Sequence, residues 1–176
     1  MTVIPLLAPV RAEPDTGASG RSPIRVVLAE DHALVRQGLR RLLDAEEDVE
    51  VVAEVADLAA VASCVHEQRP DVLVHDLRVP GGSSIDAIAP LREREPQTQI
   101  VMMTMEASPA FATHALDAGA LGFVAKELAD QELLHAVRAA ARGERYVSPR
   151  IAPRPRARAT AGAMTRPARQ AQQSLL

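Results

Sequence analysis

Cysteine and long apolar runs are both scarce in this chain of 176 residues. The single cysteine, Cys64, cannot form a disulfide within the chain, which favours a reducing compartment, and a lone half-buried thiol is usually a packing residue. The apolar stretch at residues 3–10 is interrupted by Pro5 and Pro9 and follows no basic residue, so it does not resemble a signal peptide or a membrane span. We therefore expect a cytoplasmic protein without a membrane segment.

Two further scarcities concern the chemistry of possible sites. The five histidines show no spacing that is typical of zinc ligands, so we expect no zinc site. Lysine is almost absent, because Lys126 is the only lysine beside 19 arginines. A sequence that otherwise uses arginine has kept one compact ammonium group, which suggests that this position has a specific role.

Length, composition and charge predict one folded domain with two extensions. A content of 47% hydrophobic and 24% charged residues is typical of globular proteins. Residues 23–148 carry 21 acidic against 12 basic residues, so this part should repel nucleic acid and attract divalent cations or basic partners. Residues 149–176 contain six arginines and no acid. We predict a disordered leader at 1–22, a domain at 23–145, and a linker with a basic, disordered tail at 146–176.

Strands and helices alternate along the predicted domain. The strands are predicted at residues 24–29, 49–55, 72–75, 100–103 and 123–125, and the helices at 34–43, 58–69, 84–94, 110–118 and 130–142. In the first helix the apolar positions recur every three or four residues, whereas Arg36, Gln37, Arg40 and Arg41 lie on the polar face. This α/β alternation predicts a doubly wound, five-stranded parallel sheet with helices on both faces.

Chemically distinctive side chains follow four of the predicted strands. Glu30 and Asp31 follow the first, Asp76 the third, Thr104 the fourth and Lys126 the fifth. Ligands of such sheets bind at the carboxyl ends of the strands. Each pair of carboxylates at about 4 Å costs on the order of 4 kcal/mol at an effective dielectric constant of about 20, so the edge requires a cation. An oxygen-rich cluster suits Mg²⁺, and Mg²⁺ with a nucleophilic carboxylate, a lysine and a hydroxyl is typical of phosphoryl transfer to aspartate.

Four segments also carry a family resemblance. They are residues 24–32 (IRVVLAEDH), 71–81 (DVLVHDLRVPG), 101–105 (VMMTM) and 118–127 (AGALGFVAKE). In this order and spacing they resemble the receiver domain of a two-component response regulator, of the NarL/FixJ type, over about residues 24–142. The resemblance implies a flavodoxin-like fold with strand order 2-1-3-4-5.

The resemblance also implies roles for the acidic residues. Asp76 would accept a phosphoryl group from a sensor histidine kinase. Glu30, Asp31 and Asp76 would bind Mg²⁺, together with the main-chain carbonyl of Arg78. The chain would then be no enzyme beyond its own phosphorylation from small donors and its own dephosphorylation.

Three more positions match the part of the family that responds to phosphorylation. Thr104 and Lys126 would each bind a phosphoryl oxygen, and Phe123 lies where the family keeps an aromatic residue that moves with Thr104. Phosphorylation would then change the contacts of this protein with others, and the result would be a homodimer or a heterodimer with a related regulator. His75 is expected to pack around the sheet, and His32 to begin the first helix.

Two departures from the family pattern lie near the predicted site. Ser84 stands where the family usually has glycine, so we expect Gly82 to take a positive φ angle instead. Arg78 and Glu106 flank the site, and we expect an ion pair between them that slows attack of water on the phosphoryl group.

The third departure concerns the C-terminal part of the sequence. Residues 143–149 resemble the linker that precedes a LuxR-type helix-turn-helix domain, but that domain is missing or truncated here. We do not expect this chain alone to bind DNA specifically. Direct DNA binding, or binding as a heterodimer with a full-length relative, remains the alternative function. A more remote alternative is a phosphatase of the haloacid dehalogenase type, which would require a second aspartate where Arg78 stands.

Overall fold

Six parallel strands form the centre of the molecule in the computed structural model, which describes residues 22–106 and 108–152. The strands are β1 (Ile24–Ala29), β2 (Val49–Val55), β3 (Val72–Asp76), β4 (Gln99–Thr104), β5 (Gly122–Ala125) and β6 (Tyr146–Val147). The helices are α1 (Ala33–Asp44), α2 (Leu58–Gln68), α3 (Ile88–Arg94), α4 (Pro109–Asp117) and α5 (Ala129–Ala141), with a short 3₁₀ helix at Lys126–Leu128. The strand order is β2-β1-β3-β4-β5-β6, so the predicted doubly wound, flavodoxin-like fold is confirmed.

Alternate residues of the central strands enter two separate hydrophobic cores. In β1, Val26 and Leu28 pack with α1 and α5, whereas Val27 and Ala29 pack on the other face with α2, α3 and α4. Successive side chains of a strand point to opposite faces, so a strand that is covered on both faces is apolar throughout. This explains why the sequence of β1 shows a continuous apolar run.

The sheet has one strand more than predicted. Tyr146 and Val147 form β6 beside Gly122 and Phe123 of β5, and the N–H of Ser148 donates to the carbonyl of Phe123 at 2.9 Å. A two-residue strand is too short to show periodicity, so the sequence did not reveal it. Residues 146–152 therefore continue the folded part beyond the boundary predicted at 145.

Helix α3 is shorter than predicted. It begins at Ile88, and residues 84–87 form turns in which the N–H of Asp86 donates to the hydroxyl of Ser83 at 3.3 Å. Pro90 explains the late start, because proline is compatible with the first turn of a helix and unfavourable after it. Residues 1–21 and 153–176, which include most of the predicted leader and tail, lie outside the described residues.

None of the helices in the described part of the chain has the length and apolar character that crossing a bilayer requires.

Candidate functional site

The sheet brings the predicted site residues to one edge, as the strand alternation implied. Asp76 ends β3 and Thr104 ends β4, while Glu30 and Lys126 directly follow β1 and β5. Because β3 lies between β1 and β4, Asp76 occupies the middle of this edge. The strand order reverses next to β1, which is where open α/β sheets form a crevice.

Lys126 is the centre of a buried charge cluster. Its Nζ atom lies 2.5 Å from Oε2 of Glu30 and 2.8 Å from Oδ2 of Asp76. The three side chains are 7%, 2% and 5% exposed, respectively. Burial removes the hydration of these charges, so each carboxylate depends on the ammonium for stabilisation. Two carboxylates against one ammonium leave the cluster with one uncompensated negative charge.

A second part of the cluster comes from the residues that follow Glu30. The N–H of His32 donates to Oε1 of Glu30 at 3.1 Å, and Nδ1 of His32 lies 2.8 Å from Oδ1 of Asp31. His32 precedes the first residue of α1, as predicted. The cluster thus includes an imidazole that the sequence argument did not assign to the site, because His32 was interpreted only as the start of a helix.

The acidic cluster has the donor set of a site for a hard cation. Glu30, Asp31, His32 and Asp76 each place a possible ligand atom within 4.8 Å of the others. The buried Oδ1 atom of Asp31 makes no hydrogen bond of acceptable geometry, because its 2.8 Å contact with Nδ1 of His32 is not aligned as one. Carboxylate oxygens are the preferred ligands of Mg²⁺ and Ca²⁺. The excess of carboxylate oxygens over cationic groups in this cluster therefore fits a bound cation.

Arg36 supports this edge from helix α1. Its Nη1 atom donates to the main-chain carbonyl of Glu30 at 2.7 Å, and its Nε atom pairs with Glu54 of β2 at 3.0 Å. The helical pattern places Arg36 on the polar face of the first helix and does not indicate this contact. No spacing in the sequence could have indicated it, because Glu54 belongs to a different element.

Thr104 and Phe123 lie at the predicted positions, and each contacts other residues of the protein. The hydroxyl of Thr104 accepts a hydrogen bond from the N–H of Glu106 at 2.9 Å, rather than bonding to Asp76 or Lys126. Phe123 is completely buried in the core beneath α2, α3 and α4. The predicted coupled movement of the two side chains stays a prediction.

The loop after Asp76 contacts the segment that follows β4. Nη2 of Arg78 lies 3.0 Å from Oε2 of Glu106, so the predicted ion pair is present. Both Gly81 and Gly82 adopt positive φ angles of 112° and 144°, which confirms the prediction for Gly82. Such angles strain any residue with a Cβ atom.

His75 precedes Asp76 and points away from the charge cluster into the core. Its side chain is buried, as predicted, and neither ring nitrogen has a hydrogen-bond partner. Burial lowers the pKa of the imidazole from 6.5 to about 4, although the main chain and carboxylate of Asp76 act in the opposite direction. His75 is therefore neutral at physiological pH.

Known proteins share both this sequence pattern and this fold. A family model described as the response regulator receiver domain matches residues 26–138. The oxygen regulatory protein NreC of Staphylococcus haemolyticus is 40% identical over 129 residues, and the NreC of Staphylococcus aureus (strain JH9) is 37% identical. The matched region is 73% of this chain and 59% of NreC, so the chain spans less than two thirds of that relative.

Two solved structures give the same result. A two-component response regulator of the LuxR family from Aurantimonas sp. SI85-9A1 is 38% identical, with a TM-score of 0.70 over 74% of this chain and 93% of that chain. The receiver domain of the putative response regulator NarL from Mycobacterium tuberculosis is 34% identical, with a TM-score of 0.67 over 70% of this chain and all of that one. This chain therefore belongs to the response regulator receiver family and has the receiver fold of two-component response regulators.

Proposed function

We propose that Asp76 is the phosphoacceptor of this receiver domain, with a sensor histidine kinase as the phosphoryl donor. The observation that carries the proposal is the position of Lys126 Nζ, which contacts both Asp76 and Glu30 inside a buried acidic cluster. A buried lysine between two carboxylates offsets part of their negative charge and holds the nucleophile in place. The family match supports the same role.

Four groups of this chain would hold a divalent cation, with Mg²⁺ as the expected ion. They are the carboxylates of Glu30, Asp31 and Asp76 and the main-chain carbonyl of Arg78. The close approach of the Glu30, Asp31 and Asp76 carboxylates, within 4.8 Å of one another, supports this assignment. When bound, the ion would neutralise negative charge that develops on the phosphoryl oxygens.

The transfer step follows from the position of the Asp76 carboxylate. One of its oxygens forms a bond to phosphorus while the bond from phosphorus to the kinase's histidine nitrogen breaks, and the electron pair stays on that imidazole. Lys126 orients the carboxylate and stabilises the added negative charge. Because the three charged side chains are almost completely buried, few water molecules compete with the carboxylate as nucleophile.

The response to phosphorylation would begin at Thr104. Its hydroxyl now bonds to the N–H of Glu106, and it would exchange this partner for a phosphoryl oxygen. Phe123 would change position with it and alter the protein contacts of the surrounding surface. A homodimer or a heterodimer with a related regulator would be the resulting form.

The wider assignments are part of the same proposal. We propose a cytoplasmic, magnesium-dependent signalling protein that catalyses no reaction on other molecules, with a leader at 1–22, a receiver domain from residue 23 that includes β6 and residues up to 152, and a basic tail after it. Solved relatives include the response regulator RcsB of Salmonella typhimurium, which is 30% identical and whose structure concerns DNA interaction. DNA binding by this chain is the second candidate, and an electrophoretic shift that persists at about 150 mM salt would support it.

Intact-mass spectrometry with acetyl phosphate and Mg²⁺ tests the proposal. The wild type should gain about 80 Da, the mass of one phosphoryl group. Asp76→Asn should gain nothing, whereas Asp117→Asn, which changes an exposed aspartate at the end of α4, should gain as much as the wild type. A chelator should abolish the gain. Labelling of Asp76→Asn, or no labelling of the wild type by acetyl phosphate or by a histidine-phosphorylated kinase, would refute the assignment.

A further inference from the structure

A small cavity lies on the opposite side of β3 from α1 and α5. It occupies about 130 Å³ between α2 and α3, and it reaches down to strands β3 and β4. Its walls are mainly apolar, with Val61 of α2, Ile88 and Leu91 of α3 and Ile100 of β4 among the lining residues. An apolar protein cavity of about 150 Å³ is large enough to hold benzene. This cavity is slightly smaller than that and is open to solvent on one side, so one six-membered ring is the largest group that we expect it to hold.

The inner end of the cavity carries a polar group without a partner. His75 lines the cavity, is only 1% exposed, and has no hydrogen bond at either ring nitrogen. A buried polar side chain normally finds a partner, because desolvation without a hydrogen bond is unfavourable. In its neutral form an imidazole can both donate and accept one hydrogen bond. A ligand with a hydroxyl group at this end would satisfy it.

The outer end of the cavity carries a cation. Arg94 lines both the cavity and the open groove beside it, and its side chain is exposed. Within residues 22–106 and 108–152, Arg94 forms no ion pair, and Oε1 of the adjacent Glu95 lies 2.6 Å from Nδ1 of His66. The guanidinium group of arginine matches a carboxylate in geometry and charge. The outer end is thus suited to a carboxylate.

We propose that this cavity binds a small aromatic monocarboxylate with a hydroxyl group on its ring. The ring lies between α2 and α3, the hydroxyl group hydrogen-bonds to His75, and the carboxylate pairs with Arg94. The proposal does not depend on phosphorylation of Asp76, since every contact belongs to the other face of the sheet.

Calorimetric titration with three probes separates the two polar contacts. 4-Hydroxybenzoate carries both groups, benzoate lacks the hydroxyl and phenol lacks the carboxylate. We expect 4-hydroxybenzoate to bind with a dissociation constant of about 0.1–1 mM, as suits so small a ligand. Benzoate and phenol should each bind about 5-fold or more weakly, since each loses one hydrogen-bonding or ionic contact.

Three variants assign the contacts to residues. Arg94→Gln should reduce the affinity for 4-hydroxybenzoate to about that for phenol, and His75→Leu should remove the preference for 4-hydroxybenzoate over benzoate. Arg41→Gln, which changes an exposed arginine of α1, should bind like the wild type. If His75→Leu does not fold, the proposal is still tested by Arg94→Gln, which changes only a surface residue. The comparison of the three probes on the wild type tests it as well.

Absence of saturable binding of 4-hydroxybenzoate to the wild type would overturn the proposal. Equal affinity of the wild type for all three probes, or unchanged affinity of Arg94→Gln for 4-hydroxybenzoate, would overturn it as well. None of these results would affect the labelling of Asp76, so the two proposals can fail separately.

Discussion

Acidification is expected to destabilise the fold through the buried imidazole of His75. In the folded state its pKa is about 4, whereas the ordinary value is 6.5. A difference of about 2.5 pH units corresponds to about 3 kcal/mol. The imidazole is neutral in both states above pH 6.5, so it has no effect there. Between pH 6.5 and pH 4 only the unfolded chain binds the proton, so the free energy of unfolding decreases as the pH falls.

The magnitude can be isolated with His75→Leu, which removes the titrating group and keeps a side chain of similar size. Between about pH 7.5 and about pH 4.5, the wild type should lose about 2.5 kcal/mol more stability than this variant. Urea unfolding followed by circular dichroism, in buffers that contain a chelator, gives both values. His114→Gln is the matched control and should lose as much as the wild type, because His114 stays exposed in the folded protein.

The reasoning would be refuted if the stability difference between the wild type and His75→Leu were the same at both pH values, to within about 0.5 kcal/mol. Such a result would mean that the imidazole finds a partner or water in the folded protein. At neutral pH, His75→Leu should be at least as stable as the wild type, since an unpartnered polar group is replaced by an apolar one.

Four further variants address the charge cluster, the loop, the sheet and helix α1. Lys126→Met should lower the free energy of unfolding at neutral pH by about 3–5 kcal/mol, because it leaves two buried carboxylates without their cation. Added Mg²⁺ should restore part of this lost stability, which a thermal melt can measure. Glu106→Gln should change the free energy of unfolding by less than about 0.5 kcal/mol, since the ion pair of Glu106 with Arg78 is exposed. Mass spectrometry should nevertheless show faster loss of the phosphoryl group, because the ion pair that flanks the site is gone. Gly122→Ala should lower the free energy of unfolding in urea by about 1–3 kcal/mol, because the new Cβ atom would lie 2.8 Å from Val101. Gly38→Ala should instead raise the free energy of unfolding by about 0.5–1 kcal/mol, since nothing lies within 4 Å of the new Cβ atom in α1. A stable Lys126→Met, a slower loss in Glu106→Gln, or equal effects of the two glycine variants would each contradict the structural reason given.

Much of the fold was predictable because the strands carry a strong local signal. Strands β1, β3, β4 and β5 are largely buried on both faces, whereas β2 lies at the sheet edge and is only partly buried. Each of these five strands is followed by a helix after a short connection, which restricts the sheet to a parallel arrangement. Strand β6 was not predictable. Its two residues are placed by pairing with Gly122 and Phe123 and by the burial of Ile151, and these contacts leave no periodic pattern in the sequence.

The candidate site was predictable for a related reason. Parallel strands place their carboxyl ends on one edge, so Glu30, Asp76, Thr104 and Lys126 had to meet there once the strands were identified. The contacts between these residues were harder to predict from the sequence. The direct ion pairs of Lys126 depend on the packing of side chains from three strands, and the contribution of His32 depends on the conformation of one turn.

The amino-acid sequence by itself determined the strand and helix alternation, the parallel sheet and the set of residues at its carboxyl edge, because apolar periodicity and strand ends are local properties of the chain. Only the tertiary structure decided which of these residues form ion pairs, how Arg36 supports Glu30, and that His75 faces a cavity between α2 and α3 with Arg94 at its outer end. Those relationships depend on distances between elements that are far apart in the chain. Packing of the whole domain sets such distances, and no spacing along the sequence encodes them directly.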